Sequence, residues 1–139
     1  MGPYTNSAEF MEVLEPYVPD SLKTIIDDMY NKVVLYDHKV ESVSWDFTEE
    51  DDIHVIVDFT TEKRYYDDEG KPEIVEYEGW LEIALTDRQG NIMLLDKVYV
   101  DKKENRVEFT LDQAPTNVVI DPYFITMDLA PYNNTEKIK

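Results

Sequence analysis

His38 and His54 are the only two histidines in this chain of 139 residues, which contains no cysteine. A zinc site of the H-E-x-x-H type needs two histidines one helical turn apart with a glutamate between them. These two stand sixteen residues apart. We expect His38 in a turn and His54 on a strand, both facing solvent, so the pattern does not predict a shared metal ion.

Other catalytic patterns are missing from the sequence as well. Without cysteine the chain has no disulfide, no thiolate nucleophile and no cysteine-based zinc site. It has no G-x-S-x-G elbow, and its four scattered glycines form no phosphate-binding loop. We therefore expect no catalytic residue and no cofactor in this chain, and predict that it is not itself an enzyme.

Calcium is the metal ion that the acidic turns could most readily accept. Glu49, Glu50, Asp51 and Asp52 supply hard oxygen ligands, and Asp67–Glu69 does the same. Neither run has the spaced D-x-D-x-D-G pattern of a calcium loop, and consecutive acids are more often a solvated turn. Calcium binding is therefore the weaker alternative at these positions.

The net charge of −18 comes mainly from one part of the chain. Between Asp46 and Glu82 there are fourteen carboxylates and three basic residues. Such a field repels nucleic-acid phosphates and anionic membrane surfaces. The simplest interpretation is a solvated surface, and the alternative is a docking face for a cation or a basic protein partner.

The first thirty residues carry two helical patterns. Asn6 followed by Glu9 predicts a capping box, and apolar residues then recur with helical spacing until Pro16. A second helix is predicted to begin at Asp20 or Ser21. Its apolar stripe consists of Leu22, Ile25, Ile26 and Met29.

The remainder of the chain reads as β-strands joined by short polar turns. Strict alternation is clearest from Ile53 to Phe59, and Asp37-His38 is interpreted as a turn between two strands. About seven to eight strands with such short connections favour an antiparallel β-sandwich, immunoglobulin- or fibronectin-like, over a parallel βαβ arrangement. The predicted fold class is therefore mostly β, with one or two short N-terminal helices.

The pattern predicts one domain between two polar ends. Residues 1–6 are expected to be a flexible lead, residues 7–31 helical, residues 32–132 a β-sandwich, and residues 133–139 a polar, frayed tail. The sequence has no run of eighteen apolar residues and no basic flank followed by an apolar stretch. We therefore expect a soluble fragment that does not insert into a membrane.

The stretch Asn117–Asn134 looks like the closing element of the sandwich. A short apolar strand reaches Ile120, and Asp121-Pro122 then ends or bends it, because proline cannot donate to a sheet ladder. We expect this strand near a sheet edge. Tyr123 and Phe124, which follow, are expected to be packing residues of the core or of a contact with another domain.

Two stretches carry a family resemblance: Pro19–Val40, PDSLKTIIDDMYNKVVLYDHKV, and Asn117–Asn134, NVVIDPYFITMDLAPYNN. They resemble the C-terminal region of large bacterial proteins in which an aminopeptidase N-like zinc peptidase is fused to an ABC-transporter-type permease. That region is a β-sandwich ending in V-x-[LI]-D-P-Y, an apolar run and N-P-D-D-N. The positions that match this ending are Asp121, Pro122, Tyr123, Pro131 and Asn134, whereas Ala130, Tyr132 and Asn133 differ from it.

The resemblance implies an accessory domain that does not catalyse. The zinc ligands and catalytic glutamate of that family lie in its peptidase domain, whose motif this chain lacks. The implied partner is the peptidase domain of the same parent chain, and the implied location is the extracytoplasmic side of a membrane-associated parent. The candidate contact residues are Tyr123, Phe124, Leu22, Ile25, Ile26 and Met29. An independent acidic binding module for calcium or a basic partner is the alternative.

Overall fold

The computed structural model describes residues 6–139, so residues 1–5 of the lead predicted over residues 1–6 lie outside the described part. The described chain separates into a helical unit that ends at Val34 and a β unit, Leu35–Lys139. This division falls close to the predicted helix–sandwich boundary. Strands hold 49% of the residues, which confirms the predicted mostly-β class.

The helical unit begins as its capping residues predict. Helix α1 spans Ser7–Leu14, and Asn6 and Glu9 form the reciprocal capping box, with Glu9 N donating to Asn6 Oδ1 at 2.9 Å. A 3-10 turn, Glu15–Tyr17, follows, and helix α2 spans Asp20–Tyr30. Pro16 and Pro19 separate the helices because proline lacks the amide that a continuous helix would require.

The β unit contains two four-stranded antiparallel sheets, which form the predicted β-sandwich. In the first sheet, β2 is bonded to β1, to β3 and to β6. The second has the order β5-β4-β7-β8. The strands are β1 Val33–Phe47, β2 Ile53–Tyr66, β3 Pro72–Val75, β4 Gly79–Thr86, β5 Ile92–Val100, β6 Glu104–Leu111, β7 Asn117–Ile120 and β8 Thr135–Lys137.

Strand β2 is the spine of the first sheet. Its Ile53–Thr60 part pairs with β6, and its Lys63–Tyr66 part pairs with β3. Its residues alternate between buried and half-buried as far as Lys63. That alternation follows from the two-residue period of a strand, so the sequence pattern from Ile53 to Phe59 predicted this inner face correctly.

The core lies between the inner faces of the two sheets. Side chains of β2, β4 and β7 are its most buried members, because these strands have neighbours on both sides. Burying one such side chain contributes about 1.5–3 kcal/mol relative to leaving it exposed. The most deeply buried apolar residues of these strands are Val55, Val57, Phe59, Ile83, Leu85, Val118 and Ile120.

The hairpin turns after β2 and β4 share one local mechanism. Asp67 Oδ1 accepts the amides of Glu69 and Lys71, and Asp87 accepts equivalent amides two and four residues later. Gly70 and Gly90 have φ of 77° and 89°, a region that glycine enters without steric cost. Both are short polar turns of the kind that the sequence pattern predicted between strands.

The turn predicted at Asp37-His38 is wrong, because β1 runs without a break through both residues. Farther along β1 the consecutive side chains of Glu41 and Ser42 both bond to the outer face of β2, at Thr60 and Asp58. The burial pattern of β1 changes phase at these residues, since Val34, His38 and Val40 are buried before them and Val43 is half-buried after them. His38 is fully buried, not solvent-facing.

The predictions for the closing strand and the tail also need correction. Strand β7 is not at an edge, because it lies between β4 and β8. Strand β8 comes from the segment expected to be a frayed tail, and Val118 pairs with Glu136. The carbonyl of Lys139 accepts the indole N–H of Trp45 at 2.8 Å. Backbone pairing with β7 orders this polar segment although it has almost no apolar side chains.

The buried and exposed phenylalanines allow a direct test of the core. Phe59 is 1% exposed and Phe47 is 64% exposed. We expect Phe59→Ala to lower the free energy of unfolding by about 3–5 kcal/mol, because it leaves a cavity. Phe47→Ala, the matched control, should change it by about 0.5 kcal/mol or less. Urea unfolding measures both, and equal losses would contradict the assignment of the core.

Candidate functional site

The segment from Asp121 to Asn134 connects β7 to β8, and we call it the closing loop. Asp121 is buried, and its carboxylate holds the first half of this loop. The amides of Ile125 and Thr126 donate to it at 2.9 and 2.8 Å, and the Thr126 hydroxyl donates at 2.6 Å. Three hydrogen bonds to one carboxylate anchor this part of the loop.

The backbone at both ends of this turn is in the left-handed region. Asp121 has φ 50° and Phe124 has φ 52°, and the Phe124 amide donates to the Asp121 carbonyl at 3.0 Å. Each such residue costs on the order of 1–3 kcal/mol when it is not glycine. The carboxylate bonds offset that cost, and aspartate tolerates this region better than most residues do.

The second half of the closing loop is hydrogen-bonded to β1. The Tyr36 amide donates to the Met127 carbonyl at 2.9 Å, and the Leu129 amide donates to the Tyr36 carbonyl at 2.7 Å. Asp128 strengthens this short parallel bridge, because its Oδ2 accepts the His38 amide at 2.8 Å. The loop is thereby fixed at two places, on β7 and on β1.

His38 is buried beside this contact, at 0% exposure. Its ring stacks on Tyr36 at 5.8 Å and meets Tyr77 edge-on at 5.2 Å. Among the residues that the structure describes, neither ring nitrogen has a hydrogen-bond partner. Burial lowers the pKa of His38 although Asp128, Asp121 and Asp37 oppose the shift, so the ring is neutral at pH 7.

Tyr77 completes this buried cluster, because its ring also meets that of Tyr36 edge-on at 5.8 Å. Its hydroxyl donates to the Trp80 carbonyl at 2.9 Å. Burial raises the pKa of Tyr77 to about 12, with smaller contributions from Tyr36 and Asp121. The phenol therefore stays protonated at neutral pH. Gly79 allows this position, because a Cβ there would come within 3.2 Å of the Tyr77 hydroxyl.

The outer side of the closing loop is apolar and exposed. Phe124 is 69% exposed and Tyr132 is 85% exposed, so the expectation that the Tyr123-Phe124 pair lies in the core is wrong. Its role as an interdomain contact stays a prediction. We call the set of exposed apolar residues on this loop the closing-loop patch: Tyr123, Phe124, Ile125, Met127, Leu129 and Tyr132.

The other predicted contact residues lie on helix α2. Leu22, Ile25 and Met29 are exposed, and Ile26 is half-buried and lines a cleft between α1 and α2. Phe10 of α1 approaches Tyr30 of α2, with ring centroids 6.3 Å apart. Their role in a contact with another domain stays a prediction.

The predicted calcium residues form a tight turn between β1 and β2. The Thr48 hydroxyl accepts the amides of Glu50 and Asp52, and Asp51 has φ 64°. Glu49 lies in the same turn. Across residues 6–139 there is no group of three or more histidine, aspartate or glutamate side chains that could hold a metal ion.

His54 lies on the outer face of the first sheet, as predicted, between carboxylates of the neighbouring strands. Its Nδ1 is 3.3 Å from Asp46 and its Nε2 is 3.1 Å from Glu108. Arg106 and Asp58 make a bidentate pair on the same face, at 2.7 and 2.9 Å. Two carboxylates between Asp46 and Glu82, Asp58 and Glu62, are thus paired with arginine or lysine side chains.

The comparisons with known proteins identified no relative of this chain. Neither a scan of protein-family models, nor a search of curated proteins, nor a search of solved structures gave a match. Within the described residues, no helix is both long enough and apolar enough to cross a membrane. The candidate site therefore depends on geometry alone: a buried His38 cluster beneath a loop that exposes apolar side chains.

The role of Asp121 can be tested by substitution. We expect Asp121→Ala to lower the free energy of unfolding by about 1–3 kcal/mol, because two amides and a hydroxyl lose their acceptor. Asp121→Gly relieves the left-handed backbone but loses the same acceptor, so it separates the two effects. Asp112, which is exposed, supplies the matched control Asp112→Ala. Equal values for Asp112→Ala and Asp121→Ala in urea unfolding would contradict this role.

Proposed function

We propose that this chain is a non-catalytic interaction domain that docks a protein partner through the closing-loop patch. The observation that supports this is the combination of exposure and anchoring. The patch residues point into solvent, while the backbone that carries them is fixed by Asp121 and by the bridge to Tyr36. A pre-ordered apolar surface loses little conformational entropy on binding, which favours docking.

The charge of the chain favours a partner other than a second copy. Two copies would each bring a net charge of −18, which opposes their association. The closing loop itself carries no lysine or arginine. A partner with an apolar groove edged by basic side chains fits such a surface best, because the rim charges would then be complementary.

The proposed partner is the peptidase domain of the same parent chain, in a bacterial membrane-associated protein like the zinc aminopeptidases. In that arrangement the zinc ion and the catalysis belong to the peptidase domain, and this domain lies beside it on the extracytoplasmic side. The support for this identity is the resemblance of Pro19–Val40 and Asn117–Asn134 to that family. Helix α2 would supply further contacts through Leu22, Ile25 and Met29.

Docking can be measured by calorimetric titration of this chain with the separately produced peptidase domain of its parent reading frame. We expect the double variant Phe124→Ser, Ile125→Ser to weaken binding by at least about tenfold, because large apolar anchors dominate interface energies. Ile74→Ser, at a site 63% exposed on β3, is the matched control and should leave binding unchanged. Absence of binding, together with unchanged peptidase activity after deletion of this domain, would refute the proposal.

The alternative, an acidic module that binds calcium, gives a different result. A ligand that binds only the folded state raises its melting temperature. We expect millimolar calcium chloride to leave the melting temperature unchanged relative to sodium chloride at the same ionic strength. A calcium-specific increase that Asp51→Asn and Asp52→Asn abolish would favour the alternative.

A further inference from the structure

The hydrogen bonds that attach the closing loop to β1 lie at or next to His38. Tyr36, two residues earlier, makes both backbone bonds of the bridge, and the His38 amide donates to Asp128. The His38 ring lies inside, against the rings of Tyr36 and Tyr77. A change of charge on this ring therefore acts at the point where the patch-bearing loop is held.

While the loop is closed, the carboxylates around the ring already accept hydrogen bonds from other groups. Asp128 already accepts from the Ala130 amide through Oδ1 and from the His38 amide through Oδ2. Both oxygens of Asp121 accept bonds within the loop. Asp37, on the same strand as His38, lies 3.6 Å from Arg64 and accepts the Asn133 amide group at 3.2 Å.

The remaining neighbours cannot accept a proton from the ring at neutral pH. Tyr77 comes from the segment between β3 and β4, and its hydroxyl donates to a carbonyl. A protonated His38 has two N–H donors. With no hydrogen-bond partner for either of them and no contact with water, the charged ring would be buried at a cost that the nearby carboxylates only partly offset.

We propose that His38 is a pH-sensitive switch whose protonation releases the closing loop from β1. The neutral ring holds the loop closed and the closing-loop patch in place. The charged ring requires water or a freed carboxylate, and both become available when the loop opens. The consequence for docking rests on the proposed function, whereas the switch itself is a property of this chain alone.

The sign follows from proton linkage. Burial lowers the pKa of His38 in the closed state, whereas an opened loop restores a value near 6.5. Above pH 6.5 the ring is neutral in both states, and pH has no effect on their balance. Below pH 6.5 only the open state binds the proton. The ratio of closed to open molecules therefore falls by up to about tenfold per pH unit until the pH reaches the lowered pKa of the closed state.

Amide hydrogen exchange followed by NMR tests the switch between pH 7.5 and 5.5, above the range where most aspartates titrate. Protection factors correct for the intrinsic pH dependence of exchange. For Tyr36, His38 and Leu129, whose amides bond across this contact, we expect a decrease of up to about tenfold at pH 5.5. The amides of Val55 and Val57, in the centre of the first sheet, should keep their protection.

The two histidines supply a matched pair of variants. His38→Gln and His38→Phe cannot be protonated, so both should keep full loop protection at pH 5.5. His54→Gln, on the outer face, should behave like the wild type. If neither His38 variant folds, the wild type still decides, because its loop protection must follow the ring titration of His38 and not that of His54.

Three outcomes would overturn the proposal. Loop protection in the wild type could stay constant, it could decrease together with the whole sheet, or it could decrease equally in the His38 variants. None of these measurements needs a partner. A failure to bind the peptidase domain therefore counts against the proposed function but not against the switch. Constant loop protection would refute the switch but not the proposed function.

Discussion

The position of the closing loop depends on the hydrogen bonds that the buried carboxylate of Asp121 accepts. Asp121 stands where β7 ends and the chain must turn back to form β8. Its amide donates to the Glu82 carbonyl of β4 at 2.8 Å, and its side chain bonds the start of the closing loop. The same residue thus joins the core strands to the loop that exposes the patch, and it lies near the ring of His38.

Stability and surface chemistry have different origins in this protein. The core between the sheets is apolar, whereas the outer face of the first sheet carries paired charges such as Arg106 and Asp58. Exposed pairs of this kind contribute little to stability, because solvent and salt screen them. The fold therefore rests on the burial of apolar side chains, and the net charge of −18 governs which surfaces can approach it.

His38 shows how a buried polar side chain can be kept without a hydrogen bond. A neutral imidazole packed against two tyrosine rings behaves largely as an aromatic packing residue. Two carboxylates of the closing loop lie close enough to raise its pKa, but burial outweighs them. Because burial outweighs the carboxylates, protonation of His38 would weaken the contact between the closing loop and β1. His54 on the surface differs, because it has carboxylates beside both ring nitrogens.

The amino-acid sequence determined the features whose causes are local. Asn6 and Glu9 cap a helix within one turn, Asp67 and Gly70 make a hairpin turn, and the alternation from Ile53 places the inner face of β2. Each of these depends on residues within a few positions of one another, so spacing alone was enough to predict them, together with the sandwich class.

Only the tertiary structure decided the features that depend on distant partners. Strand β1 runs through Asp37 and His38 and changes its burial phase only near Glu41 and Ser42, so His38 is buried, although its polar neighbours had predicted a turn. Strand β8 formed because the backbone N–H and C=O groups on one edge of β7 could pair with a segment that has no strand pattern of its own. The candidate site joins His38 to Asp121 and Asp128 across more than eighty residues of sequence, a contact that no local period encodes.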